Sequence, residues 1–213
     1  MMEQDEKYIE QIRKLYSTNT KVGFVDEVGR GSIAGLLCAA CVVFDHMSFL
    51  DSRVDDSKQV NKDKMKNIAN DIRKYVLDWN IGVVTIKELN NTRNLEQSTF
   101  LAMRRAVLGC QIKPTVVFVD GPRMIPNLNN IKQFAVIYGD AKIYGIACAS
   151  IIAKDFRDTH MKCLAELHPQ YLWAQNAGYG TKDHLEAIRE HGLTRYHRLW
   201  YKNVKEIKCQ KAN

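Results

Sequence analysis

Only four prolines punctuate this chain of 213 residues, and neither an internal repeat nor a low-complexity tract occurs. Nothing marks a linker, and the length suits one sizeable core or a core with a small appended segment. Long apolar runs are missing as well. The longest, Ile33 to Phe44, falls short of the roughly 20 residues a membrane helix needs and reads as a buried strand. Residues 1–16 carry both charges with no leading apolar block, so no secretory signal is expected and a cytoplasmic location is. The six cysteines offer a single C-x-x-C spacing, Cys38 to Cys41, without a second pair or a nearby histidine couple. Residues three apart on a strand point to opposite faces, which is poor geometry for one zinc, so these are expected to be buried free thiols. No Ser-His-Asp order or cysteine–histidine nucleophile presents itself either.

What is present is positive charge and well-placed acid. Lys and Arg total 31 against 24 Asp and Glu, a net charge of +7. A polyanionic partner and a merely solubilising surface both fit that balance. Apolar runs predict strands at 21–26, 35–44, 81–86, 115–119 and 134–138, the second antiparallel to the first. Helical spacing covers 3–16, 61–77, 95–109, 144–167 and, with a break near Gly192, 182–208. The expected fold class is α/β: a mixed sheet flanked by helices (core about 21–170) with a helical C-terminal extension (about 171–213), all in one domain spanning 1–213.

Three strands end on acids. Val22-Gly23-Phe24-Val25 leads into Asp26-Glu27, followed by the flexible basic turn Gly29-Arg30-Gly31. Val116, Phe118 and Asp120 share one face before Gly121-Pro122, and Asp140 follows Val136-Ile137-Tyr138. One such acid is ordinarily a turn or cap residue; three in the same context suggest one sheet edge. Carboxylates gathered there suit hard divalent cations, and a pair of Mg2+ or Mn2+ ions about 4 Å apart supports in-line phosphoryl displacement. Strict alternation sends Asp26 and Glu27 to opposite faces, so a bend or bulge is expected near them.

The order of these motifs resembles the ribonuclease HII family from about Val22 to Tyr201. It includes Asp-Glu-x-Gly-Arg-Gly at 26–31, Asp-Ser-Lys at 56–58, Val-Asp-Gly at 119–121 and Gly-Asp-x-Lys at 139–142. Ala-Ser-Ile-x-Ala-Lys at 149–154 precedes Arg157-Asp158, and Gly-Tyr-x-Thr-Lys-x-His at 178–184 precedes His197-Arg198. The resemblance implies a ribonuclease H-like fold and cleavage of RNA in RNA–DNA hybrids, including incision 5′ of a single ribonucleotide embedded in duplex DNA. The products implied are 3′-hydroxyl and 5′-phosphate ends. Carried over by position, Asp26, Glu27, Asp120 and Asp140 bind the metals. Gly29, Arg30 and Gly31 contact the ribose 2′-hydroxyl and adjoining phosphates, and Tyr179 stacks on the following deoxyribose. Lys58, Lys142, Lys182 and Arg198 are expected as phosphate contacts.

Other residues are expected to be structural: His184 and His197, the packed aromatics Tyr171, Trp173 and Trp200, and an i, i+4 ion pair between Lys154 and Asp158. Leu36, Ala177 and Trp200-Tyr201 depart from the family's usual proline, lysine and Ser-Phe, none removing a carboxylate. The protein is expected to be a monomer, without a clear clamp-binding tail. Two rivals stand beside this reading: a carboxylate-metal nuclease of another specificity, and a non-catalytic nucleic-acid binding module.

Overall fold

The computed structural model describes residues 10, 14, 20–44 and 62–210. The expected helix over 3–16 falls largely outside these, as does Lys58 with its Asp-Ser-Lys segment.

The frame is a five-stranded mixed sheet: β1 (Val22–Val28), β2 (Leu37–Phe44), β3 (Asp78–Val84), β4 (Val116–Asp120) and β5 (Lys132–Val136), in the order β3-β2-β1-β4-β5. β2 runs antiparallel to β1, as expected, whereas β4 is parallel to β1 and β5 to β4. The two central strands are apolar on both sides because helices cover both sheet faces. Phe24, Phe118 and Phe134 occupy matching registers on the three parallel strands, and their rings stack at 5.6 and 4.9 Å. That ladder opposes a slip in register, since one step would carry every ring to the other face.

One face is covered by α1 (Lys62–Tyr75) and by α5 (Tyr144–Leu167); the other by α3 (Leu95–Gly109). α5 lies very close to the sheet, because Gly145 presses on the Phe24 ring, where a Cβ would come within 2.3 Å. Gly145, Ala149 and Ala153 continue that buried stripe at helical spacing. Cys38 faces α5 and Cys41 faces the α3 side, so the C-x-x-C pair does straddle the sheet.

Three expected boundaries shift for local reasons. β3 stops at Val84 because the Thr85 side chain caps α2 (Ile86–Thr92) in a box with Glu88, so Ile86 is helical. β5 ends at Val136, since Tyr138 turns left-handed and Gly139 opens the one-turn α4 (Gly139–Lys142). After α5, the 3-10 turn Pro169–Tyr171 and α6 (Trp173–Asn176) lead to α7 (Lys182–His191) and α8 (Lys202–Gln210), with residues 192–201 non-helical between those last two. These C-terminal elements pack on Ile33, Ala34 and the end of α5 as a third apolar cluster.

Candidate active site

β1 and β4 stop pairing at Val25↔Val119, and the next residue on each strand is an acid, or leads to one: Asp26 on β1, Asp120 on β4. Where parallel strands part, the backbone opens a notch. Carboxylate oxygens of Asp26, Glu27 and Asp120 lie within 4.8 Å of one another there. The expected bulge is not what joins them. The β1–β2 ladder runs through Asp26↔Ala40, Glu27↔Ala39 and Val28↔Cys38 with no inserted residue. Asp26 stays on the α5 side, and Glu27 lines a cleft of about 160 Å³ on the α3 side with Thr99, Phe100 and Arg123. The longer Glu27 side chain reaches the shared notch beyond the last β1–β4 pair.

Each acid is held. The Asp26 carboxylate accepts the Glu27 N–H at 2.7 Å and is hydrogen-bonded to the Ser150 hydroxyl of α5. Asp120 accepts the Gly139 N–H at 2.6 Å, which is why the chain turns at Tyr138. Glu27 accepts from Arg30 at 3.2 Å. Burial pushes the Asp26 carboxyl well above the usual carboxylate range, and the neighbouring Glu27 and Asp120 charges push it further. Burial likewise raises Glu27, against the pull of Arg30, and raises Asp120, with Asp140 adding to it. A hard divalent cation relieves this like-charge crowding, and an all-oxygen donor set is what such ions take. Asp140 sits in the first turn of α4, beside Asp120 but outside the triple of mutually close oxygens, and it is a helix-start residue, not the strand-end acid expected.

The turn and Tyr179 form one surface. Gly29 has φ +93, and a Cβ there would sit 2.4 Å from the Arg157 Nε, so only glycine fits. Gly31 lies under the Tyr179 ring, whose carbon would be 3.6 Å from an added Cβ. Ser32 bridges to Tyr179, and Gly178 C=O accepts the amides of Ile33 and Ala34. Tyr179 is 44% exposed, free to meet a ligand.

The four expected phosphate contacts fare differently. Lys142 ends α4, half-buried; Lys182 opens α7, exposed and paired with Glu186 at 3.8 Å. Lys58 lies outside the described residues. Arg198 is fully buried, and its guanidinium donates to the Gly29, Arg30, Gly35 and Leu36 carbonyls, so it cannot present charge at the surface. Sequence alone shows a charge, not where it is spent.

His184 and His197 are structural, as expected, in a buried cluster with Tyr171 and Trp173. The His184 Nδ1 lies 2.8 Å from the Tyr179 carbonyl and so carries a proton, while its Nε2 accepts from Trp173 Nε1 at 3.0 Å. His197 Nδ1 accepts the Thr194 N–H at 3.0 Å, which places its proton on Nε2, 3.2 Å from His184 Nε2. Both rings are therefore neutral. Among the described residues, Lys154 and Asp158 form no ion pair; Asp155 is the α5 acid that pairs, with Arg73 at 2.7 Å.

A mixed sheet in this order, with an acidic notch at the C-terminal ends of its central parallel strands, defines a nuclease of the ribonuclease H-like class. The solved structure of ribonuclease H2 from Pyrococcus horikoshii has this fold, with a TM-score of 0.77, 23% identity, and coverage of 91% of this chain and 100% of that one. The Mn2+ complex of Bst-RNase HIII shares it at a TM-score of 0.68 and 18% identity, covering 90% and 70%. The ribonuclease HII family profile matches residues 23–204. A ribonuclease HII from Pelagibacter ubique is 42% identical over 183 residues, 86% of this chain and 96% of that protein. The chain belongs to the ribonuclease HII family. Its activity is the family's endonucleolytic cleavage of RNA in RNA–DNA hybrids.

Proposed function

We propose that this enzyme incises duplex DNA 5′ of a single embedded ribonucleotide, leaving 3′-hydroxyl and 5′-phosphate ends, besides cutting longer hybrids. The observation that carries the reading is the junction of the acidic notch with the Gly29–Gly31 turn and the exposed Tyr179. Asp26, Glu27 and Asp120, with Asp140 flanking, hold paired Mg2+ or Mn2+ ions. Bound there, such ions supply an activated water and Lewis acidity at the phosphate. The chain's own groups do the rest. Asp120 is oriented by the Gly139 amide and Asp26 by Ser150, so the ligands keep their aim without substrate. The Arg30 and Gly31 amides, on the exposed side of the turn, reach a 2′-hydroxyl, the one group that tells RNA from DNA at a given position. The half-exposed Tyr179 ring beside Gly31 supports stacking on the next sugar, where an aromatic face disfavours a second hydroxyl. Lys142 and Lys182 meet phosphates, as does Lys58 by resemblance. The protein acts as a cytoplasmic monomer of one domain, a reading supported by the single sheet that organises the described residues.

The test is a mapped incision assay on three duplexes, one with a lone ribonucleotide, one a long hybrid and one all DNA, with Mg2+, Mn2+ or chelator. The expected result is a metal-dependent cut immediately 5′ of the ribonucleotide and none in the all-DNA duplex. Cleavage elsewhere in the mixed duplex supports a nuclease of other specificity instead.

A further inference from the structure

Two arginines, 157 on α5 and 198 near the C-terminal end, are 1% and 0% exposed. Among the described residues, neither takes part in an ion pair. A buried guanidinium without a carboxylate needs other oxygens, and here they are backbone carbonyls. Arg157 donates to Ala34, Leu36 and Ala177, and Arg198 to Gly29, Arg30, Gly35 and Leu36. The Leu36 carbonyl serves both. Converging carbonyl dipoles repel unless a cation sits among them, so the pair holds this turn in a shape the bare backbone avoids.

That shape has a direction. In a trans peptide the C=O and N–H point opposite ways. Carbonyls of Gly29 and Arg30 drawn inward to Arg198 therefore turn the Arg30 and Gly31 amides outward, where both residues are exposed. Meanwhile Arg157 lies 5.8 Å from the Tyr179 ring centroid and bonds Ala177, two residues before that tyrosine. Tyr201, one of the departures from the family pattern, completes the clamp: its hydroxyl accepts from Arg198 at 3.0 Å and donates to the Arg30 carbonyl.

We infer that Arg157 and Arg198 are positioning residues that set the spacing between the Gly29–Gly31 turn and Tyr179, and through it the selection of a lone ribonucleotide. This rests on the recognition role proposed above for those two elements. Neither arginine touches substrate. A long hybrid offers a 2′-hydroxyl at every step and no deoxyribose junction, so it tolerates a misplaced turn. A lone ribonucleotide must satisfy turn and tyrosine together.

Lysine keeps the charge but not the planar fork, so Arg198→Lys and Arg157→Lys keep a cation and lose the shared geometry. The readout is the ratio of kcat/KM on the single-ribonucleotide duplex to that on a long hybrid, with thermal melting for each variant. The ratio is expected to fall about tenfold, the scale of one lost charge-assisted hydrogen bond. Ile72→Ala, a core truncation on α1, serves as a destabilised control expected to leave it unchanged. Should the lysine variants fail to fold, Tyr201→Phe carries the test: it removes the bond to the Arg30 carbonyl and one of several acceptors of the Arg198 fork, with an expected fall of about threefold, the scale of the neutral bond, since Arg198 keeps its carbonyl acceptors. A wild-type ratio in folded variants, or an equal shift in the Ile72 control, overturns the inference. If the wild-type enzyme ignores the lone ribonucleotide, the function proposed above falls with it.

Discussion

Acidification should loosen the region that carries Tyr179, through His184 and His197. Burial holds both rings below the ordinary imidazole range, and His197, facing His184 and His168, is brought down from 6.5 to about 3. The hydrogen-bond pattern explains the sign. A second proton on His184 would point Nε2–H at two other N–H groups, and one on His197 would face the Thr194 amide. The unfolded chain takes up these protons near pH 6.5 and the native one does not, so stability is full above that value and declines as pH falls toward about 3. Between pH 7 and pH 5 the His197 contribution drops by about 2 kcal/mol, with His184 adding in the same direction. Asp26, Glu27 and Asp120 act oppositely in metal-free protein. Their raised values mean the native state binds protons first, so their contribution grows as pH falls through those raised values. Comparing urea melts of wild type and His197→Asn across pH 5–7, with chelator, isolates the histidine part, because the acids are common to both. The wild-type curve should fall more steeply by roughly the amount above. Parallel curves would refute the neutral-pair argument.

Asp120→Asn or Asp26→Asn should abolish cleavage while leaving hybrid binding within a few-fold, measured by incision and by gel shift; near wild-type turnover by either would dismiss the metal-site assignment. Mn2+ at about a hundredfold its dissociation constant should stabilise wild type by roughly 3 kcal/mol and Asp120→Asn far less, read by thermal melting. Tyr179→Ala should blunt selection of the lone ribonucleotide without lowering the melting temperature materially, since the ring is half exposed. Gly145→Ala should cost about 1–3 kcal/mol in a denaturant melt, because its Cβ meets the Phe24 ring.

The three close acids were legible because apolar strands ending on carboxylates leave a pattern of period two, and the long buried helix because small residues recur at helical spacing. Asp140 was read one structural state off: Ile137 and Tyr138 look like strand residues, yet the Asp120–Gly139 bond bends the chain there. Short α2 was missed, its only signal being Thr85 with Glu88 three residues on, set directly after a strand. Arg198 was misplaced since a positive charge carries no mark of burial. Arg157 did leave one: it continues the Gly145, Ala149, Ala153 series by one more turn, an arginine on a helix face otherwise reserved for small apolar residues. Tyr201 stood out only as a departure, and its hydroxyl bonds both Arg198 and the Arg30 carbonyl.

Because α5 carries Ser150 against Asp26 and Arg157 beneath the basic turn, a single rigid rod gauges the distance from the acidic notch to the turn proposed to read the ribose. Seven residues of helix span about 10 Å. Surface connections can lengthen or shorten without disturbing that measure, whereas one residue inserted between positions 150 and 157 would swing the guanidinium about 100° around the axis and break both alignments at once.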